Sequence, residues 1–250
     1  MPAPWPYPFW IAHRGAGREA PENTLAAFRA GLAQGFRMFE CDVKLSADDV
    51  PFLLHDDTLE RTTSGRGPAG ALAWSALAQL DAGAWHGPAF TGERLPTLAA
   101  LASLLQSAGA CVNLEIKPMP GTEERTGRLV ATAAARGWIG AEVPPLLSSF
   151  SAAALRAAAK AAPALPRALL LDALPPDAPA AAAALGCVAL VLHHRLADAA
   201  LIDRLHAAGL RAMAYTVNEP GDVARLRAAG LDGLITDNIG AFGAAAGGGG

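Results

Sequence analysis

Two histidines and three carboxylates of this 250-residue chain have the types and spacing that phosphoryl chemistry needs. Glu40 and Asp42 stand two apart in RMFECDV. Residues two apart in a strand project to one side, so both acids converge while Cys41 faces away. Paired carboxylates raise each other's pKa unless a cation lies between them, and hard oxygen donors favour Mg²⁺ or Ca²⁺. Glu115 and Lys117 share a face of CVNLEIK in the same way, which makes Glu115 the third candidate ligand. His13, Arg14 and Gly15 end the run FWIAH. Arg14 offers a planar fork for phosphate oxygens, Lys117 a point charge, and Gly15 a backbone free to turn close to a ligand. With His55 brought near, one imidazole can take a proton from the attacking oxygen while the other protonates the leaving alkoxide. The metal and the cations would neutralise charge on the phosphoryl oxygens. Taken singly, a strand-end histidine is more often structural and a lone acid more often solvated or salt-bridged. The convergence of several points to catalysis.

Position depends on the elements. Eight β-prone runs (FWIAH, RMFECDV, CVNLEI, PLLSSF, RALLL, VALVL, RAMAYTV, DGLITD) alternate with alanine-rich stretches of helical length such as ENTLAAFRAGLAQG and ADAALIDRLHAAG, the latter ending on Gly209. Repeated strand-helix units mean parallel strands with right-handed crossovers, and eight of them predict an α/β fold closed as a (β/α)₈ barrel, a TIM barrel, with its site at the strand C-termini. VPFLLHD follows RMFECDV too closely for a parallel crossover, so a hairpin is expected. A turn centred on Ala47-Asp48 pairs Asp42 with Leu53 and Glu40 with His55, to within a residue. The Gly-rich stretch from about 58 to 95 reads as a small insertion over one end of the barrel. A single domain over 1–242 is expected, followed by a disordered low-complexity tail at 243–250.

Composition narrows the partners. The chain is 52% hydrophobic, enough for a sizeable core, with a net charge of -3. No global basic field exists to gather nucleic acid or an anionic membrane, so neither is an expected partner. Cys41, Cys111 and Cys187 are widely spaced and odd in number, which argues for reduced thiols over a disulfide framework. The start MPAPWPYPFW has no basic n-region, and the longest apolar run falls short of the ~20 residues of a membrane-spanning helix. A cytoplasmic protein without stable membrane association is expected. Of the other histidines, His193 and His194 end a late strand as candidate pocket lining, while His86 in the insertion and His206 on a helix read as surface or structural.

HRGAGREAPENTLAAF (13–28), FECDVKLSADDVPFLLHDDTLERTT (39–63) and LEIK (114–117) together resemble the glycerophosphodiester phosphodiesterase family. LDAGAW (80–85), GERLPTL (92–98), AYTVN (214–218) and DGLITD (232–237) extend the match from about residue 11 to residue 238, and it is closest to the small cytosolic bacterial members. The resemblance implies a barrel that hydrolyses small glycerophosphodiesters, such as glycerophosphocholine or glycerophosphoethanolamine, to sn-glycerol 3-phosphate and an alcohol, with Mg²⁺ or Ca²⁺. It places catalysis on His13 and His55, metal ligation on Glu40, Asp42 and Glu115, and phosphate contacts on Arg14 and Lys117. The APENT match, Ala20 to Thr24, reads as structural, with Glu22 at most behind the site. Two departures stand out: Ala47-Asp48-Asp49 replaces the common Lys-Asp-Gly turn, and Tyr215 takes a usual Trp position, where an aromatic would pack on glycerol or the leaving group. Asn238 also differs from the usual residue. The alternatives are a lysophospholipid or sphingomyelin phosphodiesterase of the same barrel class, which would need a lipid-facing surface, and a non-catalytic phosphate-binding barrel, which would be expected to have lost a histidine or ligand. The sequence carries no signal of oligomeric state.

Overall fold

Apolar runs bounded by turn residues form the strands of a computed structural model that describes residues 5–247. In chain order these are β1 (Trp10–Ala12), β2 (Met38–Leu45), β3 (Pro51–Leu53), β4 (Cys111–Ile116), β5 (Leu146–Ser149), β6 (Arg167–Leu171), β7 (Ala189–His193), β8 (Arg211–Tyr215) and β9 (Gly233–Thr236). All but β3 are parallel and adjoin in the order β1-β9-β8-β7-β6-β5-β4-β2, and β1 pairs again with β2 to close the ring. The expected (β/α)₈ barrel is what forms.

The intervening helices are α1 (Leu25–Ala33), α2 (Trp74–Leu77), α3 (Leu98–Ser107), α4 (Glu123–Gly137), α5 (Ala152–Ala161), α6 (Ala178–Ala184), α7 (Ala199–Ala207), α8 (Pro220–Ala228) and α9 (Ile239–Gly247). Local chemistry sets their starts. Thr24, Thr97, Ser151, Asp177 and Asp198 each accept a backbone N–H three residues on, a cap contributing about 1 kcal/mol. Helix α9 runs to Gly247 and so covers the first part of the low-complexity stretch at 243–250. Buried Ile239 and the stacking of Phe242 on Trp10, ring centroids 4.9 Å apart, supply the packing that composition did not reveal. Residues 248–250 lie outside the described residues.

Strand side chains divide the interior in two. Ile11, Met38, Leu146, Ala168, Leu170, Ala189, Val191, Met213 and Ile235 fill the barrel centre, while their alternates pack outward against the helices, as Phe39 does edge-to-face on Phe28. Each fully buried aromatic or aliphatic side chain contributes roughly 1.5–3 kcal/mol. The insertion packs Leu59, Leu77 and Leu95 against Phe52 and Leu54 of the hairpin in a separate small core. Cys41 and Cys187 are buried, and all three cysteines are free thiols. Among the described residues no helix is long and apolar enough to cross a membrane.

The hairpin forms with its register displaced by one residue from expectation. Val43 faces Leu53, and Leu54 N–H donates to the Asp42 carbonyl. The turn spends three residues rather than two: Ser46 N–H donates to the Val50 carbonyl, and Asp49 adopts φ 67°. A left-handed third residue is the pattern of a three-residue hairpin loop, and it falls where related sequences have Gly. The altered turn residues therefore keep this geometry at the cost of an Asp in a strained conformation.

Candidate active site

Glu40, Asp42 and Glu115 meet at the mouth of the barrel because β2 and β4 run in register, with Glu40 opposite Asn113 and Asp42 opposite Glu115. One oxygen from each acid lies within 4.8 Å of the others. Glu40 and Asp42 are 3% and 1% exposed. Burial, with Asp42 and Glu115 alongside, pushes the Glu40 carboxyl well above its usual range; burial and Asp42 push Glu115 up to about 7. For Asp42 burial acts in the same direction but is outweighed by Arg14, His55 and Lys117, and its pKa falls below the ordinary value. These acids fit a divalent cation. Glu40 Oε1 is buried with no hydrogen-bond partner, and three hard carboxylates are the donor set that Mg²⁺ and Ca²⁺ prefer.

Asn23 orients Asp42 from two sides. Its Nδ2–H donates to Asp42 Oδ2 at 2.8 Å, and its Oδ1 accepts the Asp42 backbone N–H at 3.1 Å. Lys117 Nζ lies 3.2 Å from Glu115 Oε1 and 3.8 Å from Asp42 Oδ1. Arg14 Nε lies 3.3 Å from Asp42 Oδ2 but makes no hydrogen bond there. Arg14 itself sits at φ 52°, a costly conformation for a residue with a Cβ, and its N–H donates to Glu40 Oε2 at 3.2 Å. Gly15, expected to face a ligand, instead packs on α1, where a Cβ would come within 2.8 Å of Ala27 Cβ. Gly17 is the glycine that closes on the site: at φ 57° it lies so near the Asp237 carbonyl that a side chain would collide with it.

Both histidines are held by their Nδ1 atoms. His13 Nδ1 lies 2.6 Å from Asp237 Oδ1, and His13 Nε2 is 3.7 Å from Glu40 Oε2. Asp237 is fixed in turn by Asn218, whose Nδ2–H donates to Oδ2 and whose Oδ1 accepts the Asp237 N–H. The motifs AYTVN and DGLITD thus act together behind His13. Asn238 joins them by donating Nδ2–H to the Asn218 carbonyl. His55 follows β3 and places Nδ1 2.6 Å from Asp56 Oδ1. Burial, reinforced by Arg14 and Lys117 against the opposing pull of Asp42 and Asp56, lowers the His55 pKa.

Arg61 was not foreseen as part of this arrangement. It donates through Nη1 and Nη2 to both oxygens of Glu22 at 2.8 Å, and through Nε and Nη2 to both oxygens of Asp56 at 2.6 and 2.9 Å. Glu22 also accepts from Arg14 Nη1 at 2.8 Å. An unbroken ionic chain therefore links Arg14 to His55 through Glu22, Arg61 and Asp56. Glu22 and Asn23, read from the sequence as opening α1, lie before its first turn and serve the site. The available signal was two charged residues inside otherwise structural motifs, APENT and LERTT.

Tyr215 and His193, expected as pocket lining, are register partners whose rings meet edge-to-face at 5.8 Å, with Phe150 5.9 Å from Tyr215. Burial, with Asp172 and Glu115, pushes Tyr215 up to about 12, and its hydroxyl donates to the Leu171 carbonyl at 3.3 Å. His194 Nδ1 lies 3.5 Å from Asp222 of α8. His86 is more than a surface residue: with His13, Arg14, Glu22, Arg61, Trp85 and Asp237 it lines a cavity of about 400 Å³.

The model of the "Glycerophosphoryl diester phosphodiesterase family" matches residues 13–241. A glycerophosphodiester phosphodiesterase of Caldanaerobacter subterraneus subsp. tengcongensis is 32% identical over 232 residues, 91% of this chain and 93% of its own. The structure of an Oleispira antarctica phosphodiesterase in complex with the product sn-glycerol-3-phosphate superposes with a TM-score of 0.89 at 34% identity, covering 96% of each chain. That of a glycerophosphodiester phosphodiesterase from Agrobacterium tumefaciens gives 0.80 at 30% identity, covering 95% of this chain and 99% of its own. A (β/α)₈ barrel with these acids and histidines at its mouth, matched over nearly its whole length by such relatives, belongs to the glycerophosphodiester phosphodiesterase family.

Proposed function

We propose that the chain hydrolyses glycerophosphodiesters to sn-glycerol 3-phosphate and an alcohol, with His13 and His55 moving the protons and a divalent cation, Mg²⁺ or Ca²⁺, held by Glu40, Asp42 and Glu115. One observation carries this reading: two imidazoles, each tied at Nδ1 to a carboxylate at 2.6 Å, flank a buried acidic cluster that keeps an unpartnered oxygen. A bound cation would supply charge neutralisation at the phosphoryl oxygens. The residues do the rest. Arg14 and Lys117 bind and orient the phosphate. One imidazole accepts the proton of the attacking hydroxyl or water at Nε2, and the other returns a proton to the departing alkoxide, a pair of transfers contributing typically 10²–10⁴-fold each. Tyr215, His193 and Phe150 offer an apolar wall to the glycerol or headgroup.

The product held by the Oleispira antarctica relative supports the glycerol phosphate half of the substrate. Glycerophosphocholine and glycerophosphoethanolamine are the substrates to assay, with release of glycerol 3-phosphate followed after EDTA treatment and again after adding Mg²⁺ or Ca²⁺. Release that depends on the added cation is expected. Equal release with and without EDTA would remove the cation from the mechanism, and no release from any headgroup would overturn the hydrolytic reading.

A further inference from the structure

We propose that Asn113 and Ser148 hold ordered water on the barrel-core side of the three carboxylates, and that this water fixes the rotamers of Glu40 and Glu115. The proposal rests on the assignment of those two acids as ligands. Asn113 is 1% exposed and Ser148 is fully buried, yet neither polar atom of the Asn113 amide nor the Ser148 hydroxyl has a partner. Leaving such a group unsatisfied costs about 1–3 kcal/mol, so three together require an explanation. By contrast, the adjacent Ser149 hydroxyl donates to the Ile116 carbonyl at 2.7 Å.

Register places the orphaned groups beside the ligands. Asn113 is the neighbour of Glu40 across β2 and β4, and Ser148 is the neighbour of Glu115 across β4 and β5. Asn113 precedes Glu115 by two residues, so both face the barrel centre. Beyond Ser148 the register continues through Ala168 to Ala189, two small buried side chains of the central cluster. The chemistry selects water over an ion. Asn113 Nδ2 is a donor and would repel a cation, whereas a buried water accepts from it, donates to Oδ1 or Ser148, and still reaches a carboxylate within its usual two to four bonds. Groups that orient ligands in this manner typically alter metal affinity 10–100-fold when replaced.

The test compares Asn113→Leu and Ser148→Ala with the intact chain by calorimetric titration of Mg²⁺ alone and Ca²⁺ alone, by thermal melts without metal, and by crystal density for water beside Asn113. Expected are water density in the intact protein, roughly 10–100-fold weaker cation binding in both variants, and no gain in melting temperature. A drier barrel, or an Asn113→Leu protein that melts higher with unchanged cation affinity, would show that the amide is merely an unsatisfied core residue and would overturn the proposal. If Asn113→Leu fails to fold, the smaller Ser148→Ala change still reads the affinity. An intact protein that binds neither cation refutes the ligand assignment, while the density continues to decide the water.

Discussion

His13 Nδ1 and Asp237 Oδ1 lie 2.6 Å apart, and this contact turns the other ring nitrogen of His13 toward Glu40. Replacing Asp237 with Asn leaves room for the ring but removes the carboxylate that fixes its orientation and tautomer. Asp237→Asn should lower kcat on the order of 100-fold, with a smaller effect on KM. Steady-state kinetics on glycerophosphocholine checks this, and an unchanged kcat would show that the contact is structural only.

His13→Ala and His55→Ala should each reduce turnover by at least ~100-fold with the far-UV dichroism of the barrel preserved. Both side chains are partly exposed, 17% for His13 and 32% for His55, so their truncation leaves the apolar core intact. Activity surviving both changes would show that proton transfer lies elsewhere.

Arg61 tests the ionic chain from Arg14 to His55. Its guanidinium grips two carboxylates with bidentate geometry that an ammonium cannot copy. Arg61→Lys should therefore fail to restore the kcat lost in Arg61→Ala and should share its displaced pH-rate profile. Full activity of the Lys variant would reduce Arg61 to a source of charge.

Without metal, the acidic cluster makes stability fall as pH rises. Burial and Asp42 raise Glu115 from its ordinary 4.5 to about 7, and burial with Asp42 and Glu115 alongside holds Glu40 well above the same ordinary value. Between these values the folded chain binds more protons than the unfolded one, so stability drains away through about pH 4.5 to 7. The lowered pKa of His55 opposes this below 6.5, but as one group against two carboxylates. The melting temperature of the EDTA-treated protein should drop on the order of 5 °C from pH 5 to pH 7.5. Mg²⁺ or Ca²⁺ should restore it more at the higher pH, and Asp42→Asn should blunt that recovery. A melting temperature that climbs over this window without cation would contradict the clustering.

Asp49→Gly should raise stability by about 1 kcal/mol, because it relieves a left-handed Asp at φ 67° and gives up only the exposed 2.7 Å pair with Arg125. Chemical denaturation measures the change. Destabilisation would mean that the Arg125 contact matters more than its exposure indicates.

The barrel and the meeting of Glu40, Asp42 and Glu115 were legible because both depend on short-range rules: a strand repeat of two and strand-helix alternation. The hairpin register slipped by one because it hung on Asp49, whose backbone conformation a non-glycine residue does not announce. Asp237, Asn218 and Arg61 were hidden for another reason. Their partners lie far along the chain, and single charged residues within turn-like motifs look the same whether they face solvent or a catalytic ring. Helix α9 was missed because small-residue composition says nothing of two anchors, Ile239 and Phe242, that fasten its start.

The clasp between His13 and Asp237 spans 224 residues and straddles the seam where β1 meets β9. A growing polypeptide carries both histidines and all three acids long before this last strand emerges. It has no means of aiming the first imidazole until the ring shuts. The surroundings of His13 are therefore completed only with the last strand, so the local order of this ring and the closure of the barrel are one and the same event.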